Sequence, residues 1–155
     1  TTPSKEQQDL AKFLADLGVD VIIGEHPHVI QPMDWVTAED GTDTLVIYSL
    51  GNFLSSQDTT KGMLGGCATF DIRKDGETGE ITVENVKWYP TMTHYDMGGN
   101  YTTGTRNYKV YFLKDYTDEM ARSHGLNPRV NYEITREYLI QLTESIMNDK
   151  FEIVY

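Results

Sequence analysis

Two imidazoles separated by one residue, His26 and His28, lie in the run Gly24-Glu25-His26-Pro27-His28, directly after the apolar segment Val19-Asp20-Val21-Ile22-Ile23. Alternate residues of an extended chain point the same way, so a His-x-His pair can present two nitrogen donors to one metal centre. Pro27 stiffens the spacer between the donors. The end of a buried strand is also where α/β proteins usually keep their chemistry. The bare pair equally suits a polar loop with two solvated histidines, so the surrounding elements have to decide.

Upstream, Ser4 and Gln7 have capping-box spacing, Leu10, Phe13, Leu14 and Leu17 follow at helical intervals, and Gly18 ends the pattern. A capped helix running through one glycine into an apolar strand is half of a right-handed βαβ unit, which needs an earlier strand beside Val19 to Ile23. The expectation is a chain that begins inside a domain; a helix that simply starts the fold is the alternative. Downstream, Gln31 to Val36 and Thr44 to Tyr48 read as a hairpin around the acidic turn 39–43. Ala68, Phe70 and Ile72 alternate with polar residues, and Ile81, Val83, Val86 and Trp88 form the returning strand if a bulge near Glu84 and Asn85 absorbs the slip in phase. Residues 90–107 turn to Gly, Thr, Tyr and Asn, which suggests a long surface loop holding an exposed His94. A strand from Tyr108 to Leu113 follows. Asp115 to His124 reads as a short helix closed by Gly125, with His124 a partly charged imidazole at its C-terminal dipole. Thr135 caps a last helix carrying Leu139, Leu142 and Ile146.

Composition excludes several functions. The 155 residues include 24 acidic and 13 basic side chains, a formal charge of -11, so binding to a nucleic acid or an anionic membrane has no general electrostatic support. The single cysteine, Cys67, allows no internal disulfide and sits in an apolar stretch as a small filler. The longest apolar run falls far short of the roughly 18 residues that suggest a membrane-spanning helix. Ser49 lacks the Gly-x-Ser-x-Gly elbow of a nucleophilic serine. Asn52, in Ser49-Leu50-Gly51-Asn52-Phe53, is placed at a second strand end, where it either contacts substrate or metal-bound water or is a turn residue with Phe53 and Leu54 anchored in the core.

The segment Gly18-Val19-Asp20-Val21-Ile22-Ile23-Gly24-Glu25-His26-Pro27-His28-Val29-Ile30-Gln31, followed by Tyr48-Ser49-Leu50-Gly51-Asn52-Phe53, resembles the bacterial capsule-synthesis CapA family of poly-γ-glutamate biosynthesis, over about residues 4–90. The resemblance implies an α/β fold: the C-terminal half of a calcineurin-like metallophosphatase two-sheet α/β sandwich, its β-rich middle flanked by helices. Residues 1–113 would form that part and residues 114–155 a helical extension packed on it. The superfamily's Gly-His-x-His motif implies His26 and His28 as ligands of a divalent metal (Mn, Zn or Fe) in a dinuclear site. Glu25 stands where the capsule branch often has His, and is carried with Asn52 as a weaker substrate-binding or ligand-orienting candidate. The family's Gly-Asp, Asn-His and His-Trp-Gly motifs do not occur in these residues.

The implied function is therefore a share of a metal site, inactive alone, in a parent that is a metal-dependent phosphatase or phosphodiesterase; the alternative is a non-catalytic assembly, export or binding component for capsule polymer. The implied partners are capsule polymer or other capsule-synthesis proteins. The implied location is the outer face of the cytoplasmic membrane, through an anchor outside these residues. An interrupted sandwich would expose an edge and apolar surface, so the chain is also expected to pair with a second copy.

Overall fold

The computed structural model describes residues 1–98 and 105–155. Helix α1 (Lys5–Asp16) starts at the expected capping box: the Gln7 amide donates to Ser4 Oγ at 3.2 Å, and the Ser4 amide donates to Gln7 Oε1 at 2.8 Å. Gly18, with φ +82°, turns the chain into the short strand β1 (Val21–Ile23). Strands β2 (Ile30–Thr37) and β3 (Asp43–Leu50) form the expected hairpin, and β1 joins it in parallel along β3, giving the order β1-β3-β2. A one-turn helix α2 (Thr60–Met63) leads into a second, largely antiparallel sheet. In it β4 (Leu64–Lys74) pairs with the first half of the long β5 (Ile81–Gly98), and β6 (Thr105–Phe112) pairs with the second half.

The expected bulge is present. Thr69 pairs with Lys87 and Asp71 with Glu84, so β5 carries one extra residue there, and Asn85 adopts φ +54°. Its side chain is held by a 2.6 Å hydrogen bond to Asp71 Oδ2. The shift lets Val83, Val86 and Trp88 contact the core, while Ile81, expected on the same face, is exposed at the start of the strand. Helices α3 (Asp118–Ser123) and α4 (Arg136–Glu144), each capped by a threonine, follow β6, and β7 (Glu152–Ile153) ends the fold in parallel beside Lys87 and Trp88. The result is the mixed α/β architecture that the pattern implies, two sheets flanked by helices. One apolar core draws Ile30, Met33, Leu45 and Ile47 from the first sheet, Leu64, Trp88, Met92 and Tyr95 from the second, and Leu113, Tyr116, Leu126 and Leu139 from the C-terminal third.

Four expectations need correction. First, α1 does not bury its large side chains: its inner face is Ala11, Ala15 and Leu14 against the first sheet, and Leu10, Phe13 and Leu17 face outward. The small alanines let the helix approach Val46 and Tyr48 closely. Second, β1 is only partly buried, with Ile23 exposed, where a buried strand is expected; it is an edge strand among the described residues. Third, residues 90–98 are not a surface loop, because Pro90 to Tyr95 are buried within β5; residues 99–104 of that expected loop lie outside the described residues. The buried polar groups are satisfied internally: Thr93 Oγ1 accepts from the Ser55 amide at 3.2 Å, and the Thr93 carbonyl accepts from His124 Nε2 at 2.9 Å.

Fourth, both non-motif histidines are buried. His94 Nδ1 lies 2.8 Å from the Tyr116 hydroxyl, and its ring centroid lies 4.9 Å from that of His124. His124 also accepts at Nδ1 from the Leu126 amide at 2.9 Å, so it is a neutral imidazole, its pKa pushed down to about 4 by burial. A charged helix-end role is thereby excluded. The tyrosines of this region, Tyr95, Tyr108, Tyr111 and Tyr116, pack around these rings and supply the core that few aliphatics could.

Candidate functional site

The site loop is positioned by a glycine. The Gly24 amide donates to the Ile47 carbonyl at 2.7 Å, carrying the pairing of β1 with β3 one residue past the strand, and a Cβ at this position would fall 2.4 Å from the Tyr48 carbonyl oxygen. Only glycine lets the chain leave β1 so close to β3. Glu25, His26 and His28 then stand exposed.

The two histidines do not sit on extended backbone. His26 has φ +98° and His28 φ +58°, both in the left-handed half of backbone space, where a non-glycine residue costs roughly 1–2 kcal/mol. Two such residues in one three-residue stretch mark a segment held in place by its surroundings, as functional loops often are. The imidazoles come together all the same, with ring centroids 6.3 Å apart and planes inclined by 43°.

Asn52 reaches the same loop from the end of β3. Its Oδ1 lies 2.8 Å from His28 Nδ1, while its Nδ2 donates to the His28 carbonyl at 3.0 Å and to the Gly62 carbonyl at 3.0 Å. The Asn52 main chain is packed against Gly65, where a Cβ would fall 2.2 Å from the Asn52 carbonyl oxygen, and Gly51 and Gly65 form the isolated bridge that links the two sheets. Phe53 and Leu54, expected to anchor this loop in the core, are exposed beside it. The anchors are polar instead: Ser55 on Thr93, Thr60 on the Tyr132 hydroxyl at 2.8 Å, and Asp58 on Arg106 at 3.2 Å and Arg129 at 2.6 Å. Arg106 lies in turn over the Tyr95 ring, 5.0 Å from its centroid. Sequence patterning gives no sign of this clamp, since Asp58 and Arg129 are 71 positions apart.

Of the expected site residues, His26, His28 and Asn52 are gathered, and Glu25 stands beside them in the same loop without a hydrogen bond among the described residues. Ser49 is buried, its Oγ accepting from the Gly51 amide at 3.2 Å, and does not face this site as a nucleophile. Cys67 is half-buried, and burial raises its thiol pKa, the opposite of a reactive thiolate. Imidazole nitrogens are suitable donors for Mn, Zn or Fe, and a 6.3 Å ring spacing lets both bear on one ion, or on neighbouring ions of a two-metal centre about 3.5–4 Å apart. Among the described residues, no group of three or more His, Cys, Asp or Glu side chains converges to hold an ion. The donors fit a metal in kind and supply part of a ligand set in number.

Residues 1–57, which run from α1 through both histidines to Asn52 and the start of its loop, match the family model described as bacterial capsule synthesis protein PGA_cap. This part of the chain is similar to the bacterial capsule synthesis (CapA) family. It is 35% identical over 81 residues to the PGA biosynthesis protein CapA of Bacillus subtilis (strain 168), an alignment covering 52% of this chain and 20% of that protein. It is 38% identical over 74 residues to the capsule biosynthesis protein CapA of Bacillus anthracis, covering 48% and 17%. The chain thus spans about a fifth of the length of these CapA relatives. No solved structure matches it. The family match contains Gly24, Glu25, His26, His28 and Asn52, whereas Gly62 and Gly65 behind Asn52 and the anchors Asp58, Thr60, Thr93, Arg106, Arg129 and Tyr132 lie outside it. No helix among the described residues is long and apolar enough to cross a membrane.

Proposed function

We propose that this chain supplies His26 and His28 to a divalent-metal centre of metallophosphatase type in a capsule-synthesis protein, and that the remaining ligands come from other parts of that protein. The carrying observation is the pair of exposed imidazoles held 6.3 Å apart on left-handed backbone at the C-terminal end of a strand parallel to its neighbour. Such backbone is unfavourable in isolation and persists where the surrounding structure fixes it. A metal bound there would supply a polarised water or hydroxide for attack on a phosphate ester. The chain's own part is to orient two neutral nitrogens and to offer Glu25 as an adjacent carboxylate. The substrate class in this reading is a phosphate mono- or diester handled at the outer face of the cytoplasmic membrane during assembly of an anionic polymer. At a net charge of -11 the protein repels such a polymer except through a bound cation, which gives the metal a second use.

Calorimetric titration of the chain with Mn²⁺ and with Zn²⁺, beside His26→Ala and His28→Ala, tests ligation directly. Stoichiometric binding abolished in both variants is the expected result, and binding unchanged by either substitution overturns it. The full-length protein then separates chemistry from binding. Metal-dependent hydrolysis of a chromogenic phosphodiester that falls at least a hundredfold in His28→Ala supports the phosphoesterase reading, whereas metal bound without hydrolysis assigns the site to assembly or polymer binding.

A further inference from the structure

The structure assigns Asn52 as the positioning residue of His28, one that fixes which ring nitrogen carries the proton. The two carbonyls that face Asn52 Nδ2, those of His28 and Gly62, are both 3.0 Å away and can only accept. The amide nitrogen must therefore lie on that side, and the Ser55 hydroxyl at 3.4 Å is compatible with it. The oxygen is left facing His28 Nδ1 at 2.8 Å. An amide oxygen cannot donate, so Nδ1 bears the hydrogen and the single lone pair of the neutral ring is on Nε2.

In water a neutral histidine side chain favours the opposite arrangement, with the proton on Nε2. His28 is exposed, so solvent alone would leave the outward nitrogen protonated and unable to coordinate. Asn52 reverses that preference and, through the same amide, holds the carbonyl of a residue at φ +58°. It thus fixes ring orientation, tautomer and local backbone together, the usual work of an outer-shell partner of a metal-binding histidine. Both amide hydrogens are taken by the two carbonyls and the oxygen faces His28, so the part Asn52 plays here is to orient that ring. The tautomer follows from geometry alone; its use for metal rests on the function proposed above.

The test is long-range ¹H–¹⁵N correlation of the histidine rings in the metal-free chain at about pH 8.5, where imidazoles are neutral. Wild type is expected to show His28 protonated at Nδ1. Asn52→Leu removes the acceptor and is expected to move the proton to Nε2, whereas Asn52→Asp keeps an acceptor oxygen and is expected to retain Nδ1–H. His124, whose Nε2–H is set by Thr93, reports folding in the same spectrum; should Asn52→Leu lose that signal, Asn52→Ser, too short to reach the ring, carries the comparison. His28 protonated at Nε2 in wild type, or unaltered in a folded Asn52→Leu or Asn52→Ser, overturns the assignment. A parallel Zn²⁺ titration should show at least about tenfold weaker binding in Asn52→Leu than in Asn52→Asp. Absence of Zn²⁺ binding in wild type, with the tautomer as assigned, overturns the metal reading and leaves Asn52 as a tautomer-setting residue.

Discussion

His124 Nε2 donates to the Thr93 carbonyl at 2.9 Å, joining the residue after α3 to the middle of β5 inside the core. With Nδ1 accepting from Leu126, this imidazole has no room for a second proton without losing a hydrogen bond, and His94 packs against its ring. Tyr116, Tyr95, Tyr111 and Asp96 are the other titratable groups grouped around the two rings.

Acid should therefore destabilise the fold in a definite window. The unfolded chain protonates His124 near the ordinary value of 6.5, whereas the folded chain resists until about pH 4. The contribution is complete above about pH 6.5, declines as pH falls, and is exhausted near pH 4, a loss of about 3 kcal/mol. Urea unfolding at pH 7, 5.5 and 4 should show wild type losing about that much more stability than His124→Gln. Parallel losses in the two proteins refute the assignment.

Gly66→Ala should be among the most damaging single-methyl changes in the chain. A Cβ there would lie 2.0 Å from Cζ2 of Trp88, which is completely buried, so the indole cannot move aside into solvent. Overpacking of this kind costs about 1–3 kcal/mol. Trp88→Leu creates room, and the double variant should be less destabilised than the sum of the singles, a coupling that denaturant midpoints can measure.

Gly24→Ala should separate site from stability. Its Cβ meets the Tyr48 carbonyl, but β1 is a three-residue edge strand, so the strand end can peel away at little global cost. Thermal unfolding should shift by only a few degrees, while Zn²⁺ or Mn²⁺ affinity falls about tenfold or more as Glu25 to His28 are displaced. A variant that binds metal like wild type shows that the loop geometry does not depend on this close approach.

The stripe Leu10, Phe13 and Leu17 on α1 is exposed apolar surface, and β1 is an edge strand among the described residues. Concentration-dependent pairing of the chain with itself is the expected behaviour in light scattering. Leu10→Glu with Phe13→Glu should return it to monomer, and a wild-type monomer at high concentration counts against the pairing.

Much of the architecture was readable from pattern. The Ser4 and Gln7 capping box, both hairpins, the Asn85 bulge and the Thr135 cap all rest on short-range rules, and short-range rules survive tertiary context. Failures came where burial is achieved without aliphatic residues. Thr93 and His94 are polar by composition, yet they lie in the core because Ser55, Tyr116 and His124 supply partners from distant segments. The outward stripe of α1 failed for the converse reason, since periodicity says that two apolar stripes exist but not which one meets the sheet. At the site, the spacing of His26 and His28 pointed to the right loop with the wrong backbone, because a left-handed pair leaves no signature in residue type. The engagement of Asn52 with His28, 24 positions away, is a tertiary fact that only the fold supplies.

Among the described residues one isolated bridge, Gly51 with Gly65, joins the two sheets at the margin of the core they share, and Asn52 is the next residue in the chain. Its amide bonds both ways, to the His28 carbonyl before β2 and to the Gly62 carbonyl before β4, so it spans this joint. Small changes in how the sheets shear, whether from packing at Trp88 or from a neighbour seated on β1, would thus be transmitted as altered aim of the His28 ring. The Asn52 amide thereby ties the aim of the His28 ring to the way the two sheets are joined.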